Sequence, residues 1–139
     1  MSRYFINEGT FESLDVGLED TTINVLTLPG GARLFVDREP LRADKTLEEL
    51  AAARSEHESQ RLPKFTVLAE REGQLGGVPT FEVAARFREE MDLVYQRRTH
   101  FVRRGYAFAL TLRGPLNDRE GLDARMDDVL ETLRFRGQA

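Results

Sequence analysis

Hydrophobic and polar residues alternate along several segments of the chain with the period of a β-strand. The alternation is clearest in 79–88, where apolar residues fall at every second position from Phe81 to Phe87. Together with 93–103 and 106–112, this segment predicts an antiparallel three-strand meander. In the middle strand of the meander both sets of alternate residues mix apolar and polar types, so the pattern leaves its core-facing side open.

Three more strands are predicted before the meander, at 22–28, 33–38 and 64–70. Pro29-Gly30-Gly31 is a strong turn signal that joins the first two into a hairpin. Glu72-Gly73 and Gly76-Gly77 predict turns after the third strand. Short extended pieces are also expected around a turn close to the start of the chain.

A helix is predicted at 118–133, because its apolar residues recur at helical spacing and form one continuous stripe. The stripe consists of Leu122, Met126, Val129, Leu130 and Leu133. An amphipathic stripe of this kind is typical of a helix that lies on a sheet, so we expect this helix to cover one face of the meander.

Another helix is predicted at 46–61, with Asp44 or Thr46 as its N-cap and its end before Pro63. Its apolar stripe stops halfway along, and the same face continues with charged residues. These are Arg54, Glu58 and Arg61. Such a change is unusual for a helix on a core. The whole pattern predicts a single α+β domain over 1–139, an antiparallel sheet with helices packed on it.

The predicted strand at 22–28 is apolar on both faces. Ile23 and Val25 point one way, whereas Leu26 and Leu28 point the other. A strand with one face in water should be polar on that side. We therefore expect a further element or another molecule to cover the second face.

Composition limits the class of protein. The chain has 40% hydrophobic and 32% charged residues, no cysteine and a formal net charge of −4. Disulfides and thiol catalysis are thus excluded, and the negative charge argues against general nucleic-acid binding. No apolar run approaches the ~20 residues of a membrane span, and the first residues contain no signal-peptide core, so we expect a cytoplasmic chain.

Candidate catalytic and metal-binding patterns are weak. His57 and His100, the two histidines of the chain, lack metal-ligand spacing. Asp127, Asp128 and Glu131 fit the solvated face of the last helix. The Gly-Gly pairs lack the context of a phosphate-binding loop and are turn glycines. We therefore expect no enzymatic activity, no metal and no cofactor.

Several arginines cluster in and beside the middle strand of the meander, interleaved with Tyr95 and Phe101. They are Arg97, Arg98, Arg103 and Arg104. Such a cluster could form a nucleic-acid platform. It could equally pair across strands with acidic residues, namely Glu82, Glu89 and Glu90. The net charge favours pairing and no nucleic-acid partner.

The segment YFINEGTFE at 4–12, followed by DTTINVL at 20–26, resembles the Eag family of effector-associated chaperones of bacterial type VI secretion. The order of predicted elements is similar over nearly the whole chain. The resemblance implies a PsbP-like sandwich and a cytoplasmic homodimer without enzymatic activity or stable membrane association. It also implies a partner: the N-terminal region of a secreted effector, often with transmembrane helices, held on a concave sheet face until export.

Carried over position by position, the resemblance implies a set of partner-binding residues along a groove. They are Ile23, Val25, Phe35, Arg54, Leu62, Tyr95, Arg97 and Thr99. This chain departs from the family by placing charged residues at or near the groove, which is costly unless the charges pair. The charged positions are Arg33, Asp37, Arg54, Glu58 and Arg97. This departure bears on how apolar the client is.

Two alternatives stay open at this point. Ile23, Val25 and Phe35 could form a second small core under a helix, as apolar residues usually do. The domain could also be a PsbP-like small-molecule-binding or regulatory domain, such as a GTPase-binding module. An exposed apolar concave face would favour the chaperone, whereas an enclosed pocket with convergent polar groups would favour the ligand binder.

Overall fold

The computed structural model describes residues 5–6, 9–10, 22–28, 31–41 and 45–133, and among them the side chains of 25–28, 31–41 and 45–133. The strands are β1 (Phe5–Ile6), β2 (Gly9–Thr10), β3 (Thr22–Thr27), β4 (Arg33–Pro40), β5 (Thr66–Leu75), β6 (Val78–Glu89), β7 (Asp92–Arg103) and β8 (Tyr106–Pro115). The helices are α1 (Leu47–Arg61) and α2 (Arg119–Thr132), and a 3₁₀ turn at Leu116–Asp118 precedes α2.

Within the described residues, six strands form one antiparallel sheet in the order β3-β4-β8-β7-β6-β5, and β1 pairs with β2 separately. The predicted α+β architecture, the β3–β4 hairpin and the β6–β7–β8 meander are confirmed. Neither described helix is long and apolar enough to cross a bilayer.

Helix α1 begins at a capping box formed by Thr46 and Glu49. The N-cap of α1 is Thr46, whose Oγ1 accepts a hydrogen bond from the Glu49 backbone N–H at 3.1 Å. The Thr46 N–H donates to Glu49 Oε1 at 3.0 Å, which completes a capping box.

The predicted turn at Glu72-Gly73 is wrong, because Gly73 stays in β5 opposite Thr80. The turn predicted at Gly76 and Gly77 is confirmed, and their φ angles of 57° and 83° suit glycine.

The main core lies between the sheet and α2, on what we call the α2 face. Its large buried members are Leu34, Val36, Phe101, Phe108, Leu110 and Leu112 from the sheet, with Leu122, Met126 and Val129 from α2. The rings of Phe101 and Phe108 stack with centroids 4.9 Å apart. The apolar stripe predicted for the last helix is therefore confirmed as its core-facing side.

Helix α1 packs on the opposite side of the sheet, the α1 face. It lies over β6 and β7, where Ala51 is buried with Phe81 and Val83. This small cluster uses the alternating apolar positions of β6. Because α1 covers mainly these two strands, the α1 face of β3, β4 and β8 carries no helix in the described part of the chain.

Candidate functional site

An open groove of about 660 Å³ runs between α1 and the strands β4 and β8 on the α1 face, and we call it the α1 groove. Leu50, Ala53 and Leu62 line it from the helix side, and Ala107 and Ala109 form part of its floor. Strand β8 carries small side chains here and large apolar ones on its other face. Because these side chains of β8 are small, they leave space for the groove above the sheet.

The charge at Arg54 is paired across the groove. Its Nη1 and Nη2 donate to Asp37 Oδ1 and Oδ2 at 3.4 and 3.2 Å, in a fork geometry that suits arginine and carboxylate. Burial opposes the charged form of Arg54, but Asp37 outweighs it and raises the pKa of the guanidinium. Two of the charges that the sequence placed near the groove therefore neutralise each other and tie α1 to β4.

The charged half of the α1 stripe contains Glu58, which is buried against polar residues of the sheet. Its carboxylate is buried and accepts hydrogen bonds from Arg98, from Gln96 Nε2 at 3.0 Å and from Arg113 Nη2 at 3.0 Å. Arg98 also donates to Thr111 Oγ1 at 2.7 Å. Burial would raise the pKa of Glu58, but Arg98, Gln96 and Arg113 outweigh burial and lower it. The second half of α1 thus packs on a polar floor.

Phe35 and Arg113 lie close together on the α1 face. The Arg113 guanidinium carbon lies 5.1 Å from the ring centroids of both Phe35 and Phe87, and that of Arg33 lies 5.7 Å from the Phe35 centroid. Sequence reasoning missed Arg113 and Phe87. The available signal was the alternation in β8, where Arg113 follows the small residues of the same face.

Half of the predicted binding residues lie on this surface. Arg54 and Leu62 line the groove, and Val25 and Phe35 are directly paired in the β3–β4 register beside it. Val25 is 53% exposed and Phe35 is half-buried. The backbone of Ile23 pairs with Asp37, but the side chain of Ile23 lies outside the described residues.

Tyr95, Arg97 and Thr99 lie on the α2 face instead, which corrects their placement in the groove. They are buried and pair with Gly114, Leu112 and Leu110 of β8. Tyr95 Oη donates to Asp123 Oδ1 of α2 at 2.7 Å, and burial together with this bond raises the Tyr95 pKa to about 12. Strand β7 is buried on both faces, so its alternation could not tell them apart.

Arg97 pairs across strands, as the sequence favoured. Its Nε and Nη2 donate to Glu82 Oε1 and Oε2 at 3.1 and 2.8 Å, and its Nη1 donates to Asp127 Oδ1 at 3.1 Å. Arg98 pairs with Glu58 of α1 rather than with an acid of β6. Both arginines are buried in these ion pairs, so they are not available to phosphates of a nucleic acid.

The histidines do not form a reactive site. His57 is exposed and His100 is buried in β7. Burial, together with the charges of Arg98 and Arg54, lowers the pKa of His100 to about 3, so it is neutral. Across the described ranges, no group of three or more His, Asp or Glu side chains could hold a metal ion. Of the charged residues that line the groove, Asp37 is paired with Arg54 and Glu58 with Arg113.

Comparison with solved structures places the fold. The chain is 20% identical to PA94 of Pseudomonas aeruginosa, a protein of unknown function described as a candidate regulator, with a TM-score of 0.76 over 99% of each chain. It is 12% identical to CyanoP, the cyanobacterial PsbP of Synechocystis sp. PCC 6803, with a TM-score of 0.63 over 96% of this chain and 91% of CyanoP. At these identities the likeness shows the fold, which is PsbP-like as expected.

A third solved structure and a family model extend the comparison. LpqN of Mycobacterium tuberculosis, which is involved in cell envelope biogenesis, is 15% identical with a TM-score of 0.58 over 82% of this chain and 77% of LpqN. No curated protein matches the chain. The family model described as DcrB matches residues 8–132. Because this match covers most of the chain, the chain belongs to the DcrB family.

Proposed function

We propose that this protein is a cytoplasmic chaperone or adaptor of type VI secretion. It would bind the N-terminal, transmembrane-helix-bearing region of an effector in the α1 groove and keep it soluble before export. The observation that carries the proposal is the open α1 face of β3, β4 and β8, with Val25 53% exposed at its edge. Val25 and its half-buried partner Phe35 form an apolar patch at this edge, and exposed apolar patches mark interaction sites in soluble proteins.

The charges in the groove support a protein client. Arg54 is paired with Asp37, and Glu58 with Arg98, so much of the cost of placing charges beside an apolar segment is already met within the fold. Polar side chains on the floor can still hydrogen-bond a client helix, as neighbouring helices do within membranes. A small-molecule-binding domain would require an enclosed pocket with convergent free polar groups. The open groove argues against that alternative.

The proposal includes a homodimer without enzymatic activity, cofactor or nucleic-acid partner. Edge strand β3 carries the exposed Val25 beside the half-buried Phe35, and a second copy of the chain would cover this surface. Light scattering over a wide concentration range should give twice the 15.9 kDa mass of one chain. A single-chain mass at the highest concentration would contradict the dimer and weaken the chaperone assignment.

The groove itself can be tested with Val25→Asp. Val25 is exposed, so the fold should tolerate the change, whereas burying a valine against a client stabilises a complex by roughly 1.5–3 kcal/mol. We expect the variant to lose the N-terminal region of a type VI effector client when the two are co-expressed and co-purified. Circular dichroism and thermal melting should show an unchanged fold.

Val67→Asp is the matched control, because Val67 is an exposed valine on β5 at the opposite edge of the sheet. This control should still hold the client. Retention of the client by a folded Val25→Asp protein would place the binding surface elsewhere. Equal loss in both variants would show that any new charge on an edge strand disturbs the complex.

A further inference from the structure

Where β4 begins and β8 ends, the α1 face carries two arginines directly opposite each other. Arg33 of β4 pairs with Arg113 of β8 in the antiparallel register, and directly opposed residues have Cβ atoms about 4.5–5.5 Å apart. Like charges at such positions repel. Both guanidinium groups lie against the Phe35 ring, which holds them on the open side of the sheet.

The carboxylates nearby do not balance these cations. Glu58, the carboxylate bonded to Arg113, is shared with Arg98. Arg113 donates through Nε to Gln96 Oε1 at 2.8 Å and through Nη2 to Glu58 Oε2 at 3.0 Å. Its Nη1 makes no hydrogen bond to any residue that the structure describes, and the side chain is 21% exposed. Glu89 also lies near Arg113, but it is exposed.

Electrostatics in the fold distinguish Arg113 from Arg97, a buried arginine of the α2 face. Burial, with Arg98 and Arg54 beside it, lowers the pKa of Arg113 even though Glu58 raises it. On the α2 face, Glu82 and Asp127 outweigh burial and raise the pKa of Arg97. Arg97 therefore has several acids around it, whereas among the residues that the structure describes Arg113 has no acid partner on the side that opens to the groove.

Arg113 also lies where a bound segment would pass. It lines the α1 groove on one side and, on the other, an adjoining hollow that contains Met91 and Leu93. Met91 is 85% exposed. An apolar segment lying along the α1 face would thus have apolar contacts at both ends and the Arg33–Arg113 pair in its middle.

We infer that the segment bound in the α1 groove carries an aspartate or glutamate, whose carboxylate bridges Arg113 Nη1 and Arg33 beside the Phe35 ring. The occupant is an apolar helical segment with one acidic residue near its centre. This inference rests on the proposed function, since it names a feature of the client. The bridge would supply the missing negative charge and relieve the repulsion between the opposed arginines.

A pair of synthetic peptides tests this. Each is a helical Leu- and Ala-based peptide of about 20 residues with one Trp, and the two differ only in a central Glu or Gln. The chain contains no Trp, so Trp emission reports the peptide alone during titration with the protein. We expect the Glu peptide to bind about tenfold more tightly, as a charge-assisted hydrogen bond would give.

Protein variants test whether Arg33 and Arg113 cause the preference for the Glu peptide. Arg33→Gln and Arg113→Gln should bring the two peptide affinities together. Arg86→Gln should preserve the difference, because Arg86 is an exposed arginine on the α2 face of the same sheet. Arg33 is exposed, so its variant decides the matter even if Arg113→Gln fails to fold.

The outcomes separate the two proposals. If neither peptide binds, the proposed function fails and this inference fails with it. If both bind with equal affinity, the groove accepts apolar helices and only the acidic feature is overturned. A preference for Glu that survives both Arg33→Gln and Arg113→Gln, or that Arg86→Gln also removes, would likewise overturn the assignment.

Discussion

Replacing Arg97 by methionine should destabilise the fold by about 3 kcal/mol, the lower end of the range for breaking a buried ion pair. Glu82 would remain buried without its main partner, which now donates to both of its carboxylate oxygens. Glu82 keeps Arg71 and the Thr99 hydroxyl, and for this reason we expect the lower end. The bonds to Asp127 add little, because that aspartate is largely exposed.

Urea unfolding followed by circular dichroism measures this loss, and Arg71→Met is its control. Arg71 bonds to the same Glu82, but its side chain is 68% exposed, so its removal should cost less than ~1 kcal/mol. A loss below ~1 kcal/mol for Arg97→Met would contradict the structural role. If that variant stayed stable and instead lost its client, Arg97 would be a binding residue, as the family resemblance implied.

The fold was predictable because its signals are local. The stripe on α2, the alternation in β6 and the hairpin pairing of β3 with β4 depend on residues close together in sequence, and each is found where the pattern predicted it. The face of β7 was not predictable in this way. It lies between helices on both sides of the sheet, so Arg97 and Arg98 are both buried, in opposite directions.

The candidate site was only partly predictable, because its polar contacts join distant segments. Arg98 bonds to Glu58 from 40 residues away, and Arg113 does so from 55 residues away. The sequence shows that the α1 stripe becomes charged at Glu58, but it does not show which cations lie opposite. Val25, Phe35, Arg54 and Leu62 came together because the β3–β4 hairpin and the end of α1 are locally specified.

Glu58→Gln should have the largest effect on stability, about 3–5 kcal/mol at neutral pH, because it removes the carboxylate that two arginines share. Arg98, which is buried, would keep the Thr111 hydroxyl but no negative charge. The matched control is Glu56→Gln, an exposed glutamate on the same helix, for which a change within ~0.5 kcal/mol is expected. Urea unfolding of both variants beside the wild type measures the difference.

The pH dependence of the stability difference is the more specific test of the role of Glu58. The pKa of Glu58 is lowered in the folded state, so its contribution is fully present above the unfolded-state value of about 4.3 and is lost as pH falls through the folded pKa. Glutamine does not titrate there. The stability difference between wild type and Glu58→Gln should therefore be largest near neutral pH and shrink toward zero in strong acid. A difference that stays constant with pH would show that the variant loses packing rather than a charge, and Glu58 would not be the anion that holds Arg98 and Arg113 at the groove.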